Sequence, residues 1–300
     1  MKIVVTGGAG FIGSHLVDAL VERGFKVHVI DNLSGGKKEN VNKKAVLHIA
    51  DIRNLKEIKP IIRGADYVFH LAALPRVQYS IENPEETHDV NVSGTLNVLL
   101  AAKDGGVKRV IYSASSSAYG DQKRMPLLEN MPAAPKSPYG LQKYIGELYC
   151  RLFSEVYGLP TVSLRYFNVY GPRFNPEGPY ALVIGKFILQ RKLGQPLTIT
   201  GDGKQTRDFT HVSDVVLANL LAMESKKVGH GEVMNIGAGS NTTINKLAKL
   251  IGGQSKHIAF RLEPKNTLAG TSLAFKLLGW KPQIKTENGI KQLLREEGLI

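Results

Sequence analysis

Three hundred residues, 43% hydrophobic and 22% charged, suffice for one large domain or two modest ones with a real apolar core. That composition excludes disorder, collagen and coiled coil as the main architecture, and the apolar runs are too short and too interrupted to span a membrane. A net charge of +13 and an isoelectric point near 9.6 raise the question of nucleic acid. The basic residues are scattered, however (Lys37, Lys38, Lys43 and Lys44 in one stretch, Lys226 and Lys227 in another), with no run of five. The charge therefore reads as a solvated surface that also attracts small anions such as nucleotide diphosphates. No nucleic-acid or membrane partner is expected. Cys150 is the single cysteine and can form no disulfide within the chain. The start, MKIVVTGGAGFIG, has no apolar region followed by a cleavage site, so the expected compartment is the cytoplasm.

In chain order, KIVVTG is a β-branched run ending in glycine, and residues 11–23 carry helical periodicity through Phe11, Ile12, Leu16, Leu20 and Val21. KVHVID and VLHIAD read as the second and third strands, and ADYVFHLAA, VKRVIYSAS and PTVSLRYFN as the next three. Helical stretches lie between them, notably at about 87–104 and 138–157. Strands alternating with helices mean βαβ units and a doubly wound parallel sheet. After about residue 168 the regular alternation stops at the turn-rich NVYGPRFNPEGPY. The expected division is 1–168 and a smaller region 169–300, with parts of 207–236 packing back on the first and a ligand cleft between.

The first motif with a chemical reading is TGGAGFIG. Gly7, Gly10 and Gly13 follow a strand and open a helix, so backbone can approach a pyrophosphate and the helix N-terminus can face it. Phe11 and Ile12 belong to the same loop. Asp31 ends the next strand, 24 residues past Gly7. A carboxylate there accepts ribose hydroxyls and repels a 2′-phosphate, which favours NAD over NADP. Asp31 also suits a turn in DNLSGG, where Asn32 follows it. Asp51 and Ile52 end the third strand and would flank the adenine, although an Asp before a helix also serves as an N-cap.

The second motif is SPYGLQKY, with Tyr139 and Lys143 four apart on one helix face. An ammonium there is expected to lower the phenol's pKa and make Tyr139 a general base. Upstream, SASSSAYG follows the fifth strand at the sheet's ligand-binding edge, where a serine can share a proton with substrate and tyrosine.

These elements, together with HLAA, DVNVSGTLNVL, RYFNVYGPR and TRDFTHVSD, resemble the extended short-chain dehydrogenase/reductase family in its NAD-dependent nucleotide-sugar epimerase/dehydratase branch. Within it, the chain is most similar to UDP-galactose and UDP-N-acetylglucosamine 4-epimerases. The resemblance implies a Rossmann-type fold with a smaller mixed α/β C-terminal substrate domain. It implies resident NAD, no metal, a UDP-sugar substrate and a homodimer that pairs the helices near 90–104 and 138–157. It also implies Ser115, Tyr139 and Lys143 as the catalytic set, with Ser116 as a substitute serine. Leu71, Ala72, Ala73, Asn91 and Phe167 would meet the cofactor, and Asn168, Arg207 and Thr267 the substrate. For Asn91 an N-terminal structural role stands beside this, and for Arg207 a surface ion pair with Asp208.

The implied reaction is reversible oxidation of the sugar at carbon 4 through a 4-keto intermediate. Related dehydratases carry Asp-Glu after the Ser/Thr position. Here Ser116 and Ser117 follow Ser115, so the groups for elimination are missing. The arginine of the family's Pro-Arg-x-Gly-Asp stretch is absent from 260–280, where Lys265 or Arg261 would have to replace it. A frequent family lysine falls at Pro75, beside Arg76. Thr267 falls near the position that would leave room for an N-acetyl group. Another sugar or base remains a competing reading, as does a non-catalytic dinucleotide sensor.

Overall fold

The computed structural model describes residues 1–174, 183–259 and 265–300. The first part contains β1 (Lys2–Thr6), α1 (Phe11–Glu22), β2 (Lys26–Asp31), β3 (Val46–Ile49), α2 (Leu55–Ile62), β4 (Tyr67–His70), α3 (Val77–Glu82), α4 (Pro84–His88), α5 (Gly94–Asp104), β5 (Arg109–Ser115), α6 (Pro138–Tyr157) and β6 (Thr161–Tyr166). There follow β7 (Val169–Tyr170), α7 (Val183–Lys192), β8 (Leu197–Thr200), β9 (Thr206–Asp208), β10 (Thr210–His211), α8 (Val212–Glu224), β11 (His230–Ile236), β12 (Asn241–Thr243), α9 (Ile244–Ile251), β13 (Ser255–Ile258), α10 (Ser272–Leu278) and α11 (Thr286–Glu296).

Seven strands form one parallel sheet in the order β11-β6-β5-β4-β1-β2-β3. The order reverses between β1 and β4, which opens a crevice at the carboxyl ends of the strands. The two-residue period of the strands divides the core between the two faces. Ile3 and Val5 of β1 join α1 and α8 on one side, and Val4 joins α2, α5 and α6 on the other. A third apolar cluster, including Phe187, Leu197, Leu247 and Leu293, holds together the elements after β7. The sheet's outer strand β11 comes from beyond residue 168, where the regular alternation in the sequence ends.

Helix α6 lies unusually close to β5. A β-carbon on Gly146 would come within 2.2 Å of the Tyr112 hydroxyl oxygen, and one on Gly140 within 2.7 Å of the Ser117 carbonyl oxygen. Ser137 caps the helix by accepting the Gly140 N–H, and Pro138 occupies its first turn. The stretch expected to be helical from about 87 begins at Pro84 and runs through a wide π-turn, Asp89–Ser93, into α5. The turn places Asn91 against the loop after β4.

Candidate functional site

A cavity of about 480 Å³ lies along the carboxyl ends of β1 to β6. Its wall includes Gly7, Gly10, Phe11, Ile12, Gly13, Asp31, Asn32, Asp51, Ile52, Leu71, Ala72, Ala73, Ser115, Ser116, Tyr139, Lys143 and Asn168, all singled out from the sequence. Four others are off the wall: Asn91, Phe167, Arg207 and Thr267.

The glycines of the first loop are steric necessities. A β-carbon on Gly13 would sit 2.1 Å from the Gly7 carbonyl oxygen. Gly7 has φ of +72°, and a β-carbon there would meet the Ala72 nitrogen at 2.6 Å. The N–H groups of the first turn of α1 have no partners within the helix. The N-cap makes no side-chain hydrogen bond and the first turn carries no acidic residue. Phe11, Ile12 and Gly13 bring these donors to the cavity wall, where a pyrophosphate fits their unmet hydrogen bonds and the helix dipole. The cradle thus suits a dinucleotide.

Asp31 does more than face the cavity. Its carboxylate accepts the Ala9 N–H at 2.9 Å and the Leu33 N–H at 2.8 Å, tying the glycine loop to the end of β2. The turn reading and the cofactor reading of Asp31 are therefore compatible. Asp51 is gripped by the Arg53 fork at 3.0 and 2.7 Å and by the Asn32 side-chain amide at 2.9 Å. These bonds, led by the one from Arg53, pull its carboxyl down to about 2, so it is ionised throughout the physiological range. The N-cap of α2 is Asn54, which leaves Asp51 available to the cavity.

At the end of β5, Ser115 accepts the Ser117 N–H at 3.2 Å and donates to the Ser117 hydroxyl at 3.1 Å. Tyr139 is nine-tenths buried beside it and anchored by its own N–H, which donates to Ser80 Oγ at 3.0 Å. The expectation for its proton affinity is overturned for the cofactor-free chain. Burial raises the Tyr139 pKa above the ordinary phenol value, and the hydrogen bond with Ser115 opposes that rise only in part. The reason is where Lys143 points. Its Nζ donates to the Ser113 carbonyl at 2.8 Å and lies 4.9 Å from the centre of the Tyr112 ring. Burial lowers Lys143 to about 8.

Asn91 takes the structural role. Its side chain accepts the Leu74 N–H at 2.8 Å and donates to Leu74 O at 3.2 Å and Gln142 Oε1 at 2.9 Å. It thereby fixes the loop that carries Leu71–Ala73. Phe167 is fully buried with Tyr119, Leu127 and Ala269. Asn168 donates to Asp208 O at 3.2 Å and Thr267 Oγ1 at 3.4 Å, so Thr267 touches a wall residue rather than the cavity. Arg207 is 7% exposed and donates to Thr206 O at 2.9 Å. The carboxylate of Asp208 accepts three backbone N–H groups, from Ala238, Gly239 and Ala269. Lys265 offers its carbonyl, not its ammonium, to Arg207, and Arg261 lies outside the described residues.

Sequence reasoning assigned no role to Ser113, Arg76 or Tyr166, which the structure places on the wall. It also missed Glu147, 2% exposed, whose carboxylate accepts from Arg165 Nε at 2.8 Å and Nη2 at 2.6 Å. A signal for Glu147 was present, because it continues the four-residue spacing of Tyr139 and Lys143.

The family model for NAD dependent epimerase/dehydratase matches residues 3–237. A Methanocaldococcus jannaschii protein, provisionally named a UDP-glucose 4-epimerase, is 42% identical over 97% of this chain and 97% of its own. The Thermotoga maritima UDP-glucose 4-epimerase, solved with UDP-glucose, superimposes with a TM-score of 0.94 at 40% identity, covering 98% of both chains. The Methanobrevibacter ruminantium UDP-N-acetylglucosamine 4-epimerase, solved with UDP-N-acetylmuramic acid, gives 0.93 at 40% identity, covering 98% of this chain and 97% of that one.

Replacing Asp31 by Asn turns one acceptor into a donor facing a backbone N–H and removes the charge. NAD binding to the apo-protein is expected to weaken about 10- to 100-fold, the cost of a lost charge-assisted hydrogen bond. Discrimination against NADP should shrink with it. Titration calorimetry checks this, and an unchanged NAD affinity would contradict the role given to Asp31.

Proposed function

The chain belongs to the NAD-dependent epimerase/dehydratase family, and on that premise we propose that it is an isomerase interconverting UDP-galactose and UDP-glucose at carbon 4. The observation that carries this reading is Ser115, Tyr139 and Lys143 together on one cavity wall, with serines and no acid following Ser115 in the sequence. Such a set can take a proton from an alcohol and give it back. No carboxylate follows Ser115 in the sequence to drive elimination on the neighbouring carbon.

In this reading the 4-hydroxyl of the sugar donates its proton toward Tyr139, with Ser115 in the hydrogen-bond line. The chemistry that NAD, held by these residues, would supply is reversible acceptance of the carbon 4 hydride. Tyr139 then restores the proton. With cofactor bound, Lys143 is the group that favours the Tyr139 phenolate, offsetting the burial that raises its pKa in the free chain. Asp31 would hold the adenosine ribose and the first turn of α1 the pyrophosphate. Arg207 and Asn168 belong to the substrate side, where Arg207 would serve a diphosphate.

A second substrate pair, the N-acetylated UDP-hexosamines, is supported by the Methanobrevibacter ruminantium relative and by the small Thr267 behind Asn168. Other sugars and bases are weaker alternatives. A non-catalytic dinucleotide sensor would have no use for Ser115, Tyr139 and Lys143 together.

For assembly we propose a homodimer. Leu141, Leu148, Leu152 and Val156 leave an apolar stripe exposed on the outer face of α6. The expected result in light scattering is twice the 32.8 kDa chain mass. A monomer at micromolar concentration would contradict it.

Tyr139→Phe should lower turnover between UDP-galactose and UDP-glucose by about 10²- to 10⁴-fold, the range for a lost general acid–base group. NAD affinity should stay within a few-fold. Turnover near the wild-type value would contradict the proposed chemistry.

A further inference from the structure

Tyr139, Lys143 and Glu147 occupy one face of α6 at successive four-residue steps, which places neighbouring β-carbons about 5–6 Å apart. Lys143 and Glu147 are 4% and 2% exposed, so water solvates neither. A buried charge requires an opposite charge and satisfied hydrogen bonds. Of the three Lys143 N–H donors, one meets the Ser113 carbonyl, and the ammonium lies over the Tyr112 ring. Among the described residues no carboxylate touches it directly.

The titratable and charged groups around Lys143 can be named. Its own helix supplies Tyr139, Glu147 and Cys150, β5 supplies Tyr112, and β4 supplies His70. Behind Glu147 stands Arg165 on β6, with its guanidinium 4.5 Å from the centre of the Tyr119 ring. Burial keeps Tyr112, Tyr139 and Cys150 protonated and neutral, and keeps His70 unprotonated and neutral. Glu147 is the carboxylate of this group. Burial raises its carboxyl above the usual range, and the two short bonds from Arg165, in the geometry of an ionised pair, oppose that rise.

We propose that Glu147, fixed by Arg165, is a positioning residue for the reaction: the counter-ion that keeps Lys143 charged at the cavity wall. Arg165 orients the carboxylate, Glu147 balances the ammonium, and the ammonium acts on Tyr139. The consequence for turnover rests on the epimerase reading, whereas the charge state of Lys143 does not.

The test reads both. Protein carrying ¹³Cε-lysine is titrated by NMR without substrate. One lysine signal, absent from Lys143→Met, is expected to titrate near 8, well before the exposed lysines. In Glu147→Gln, which keeps the side-chain shape, that titration should move down by about one pH unit. The falling alkaline limb of kcat/KM should move with it. A Lys143 titration that does not move overturns the proposal.

Arg165 left without its partner charge can itself unfold the chain, so the paired variant Glu147→Leu/Arg165→Met removes both charges together. The proposal expects Lys143 to titrate below the wild-type value there too. A return to the wild-type value would reduce Glu147 to a structural residue and overturn the assignment. If the NMR shift occurs while the wild-type protein epimerises no UDP-sugar, the proposed function fails and the counter-ion stands.

Discussion

A β-carbon on Gly13 would overlap the Gly7 carbonyl, and one on Gly7 would overlap the backbone at Ala72. These two approaches bring the unpartnered N–H groups of α1, the end of β1 and the loop after β4 to one place. The Ala9–Asp31 bond then locks the loop to β2. One carboxylate thus shapes the phosphate cradle and remains on the cavity wall. The cofactor end of the site follows from glycine sterics and from the Asp31 carboxylate that ties the loop to β2.

The catalytic end depends on a second pair of close approaches. Gly140 lets α6 settle against Ser117, and Gly146 lets it settle on Tyr112. Tyr139 consequently reaches Ser115, and Lys143 reaches the Ser113 carbonyl. Being this deeply buried raises the proton affinity of a phenol and lowers that of an amine, so the geometry that aligns the groups also works against their charged forms. In the proposed account, the charged groups on the same face of α6 offset what burial removes.

Much of this was legible in the sequence because local rules suffice for it. The β-branched runs and their alternation with helices place six of the seven strands, and the glycine spacing with Asp31 places the cradle. Ser137 and Pro138 mark the start of α6 by ordinary capping chemistry. What was not legible depends on contacts across the fold. VMNIG reads as a short strand in a stretch expected to pack back, but its place in the sheet as part of β11 comes from pairing with β6. Asn91 looks like a helix-start residue with a polar side chain, and only the π-turn shows that it clamps Leu74 and Gln142. Phe167 follows the sixth strand as a cofactor contact would, yet faces Tyr119 and Leu127. The direction of the Tyr139 shift could not be read from the Y-x-x-x-K spacing, since spacing reports neighbours and says nothing of desolvation.

The central claim is that this cavity oxidises and re-reduces carbon 4 of a UDP-hexose without exchange with solvent. The direct test is to incubate the purified protein, with no cofactor added, with UDP-galactose deuterated at carbon 4 and to follow the sugar by NMR. The account predicts UDP-glucose approaching an equilibrium mixture, with deuterium retained at carbon 4 and no net NADH. Loss of the deuterium to water would contradict the mechanism. Absence of conversion, with NAD supplied as well, would contradict the proposed substrate.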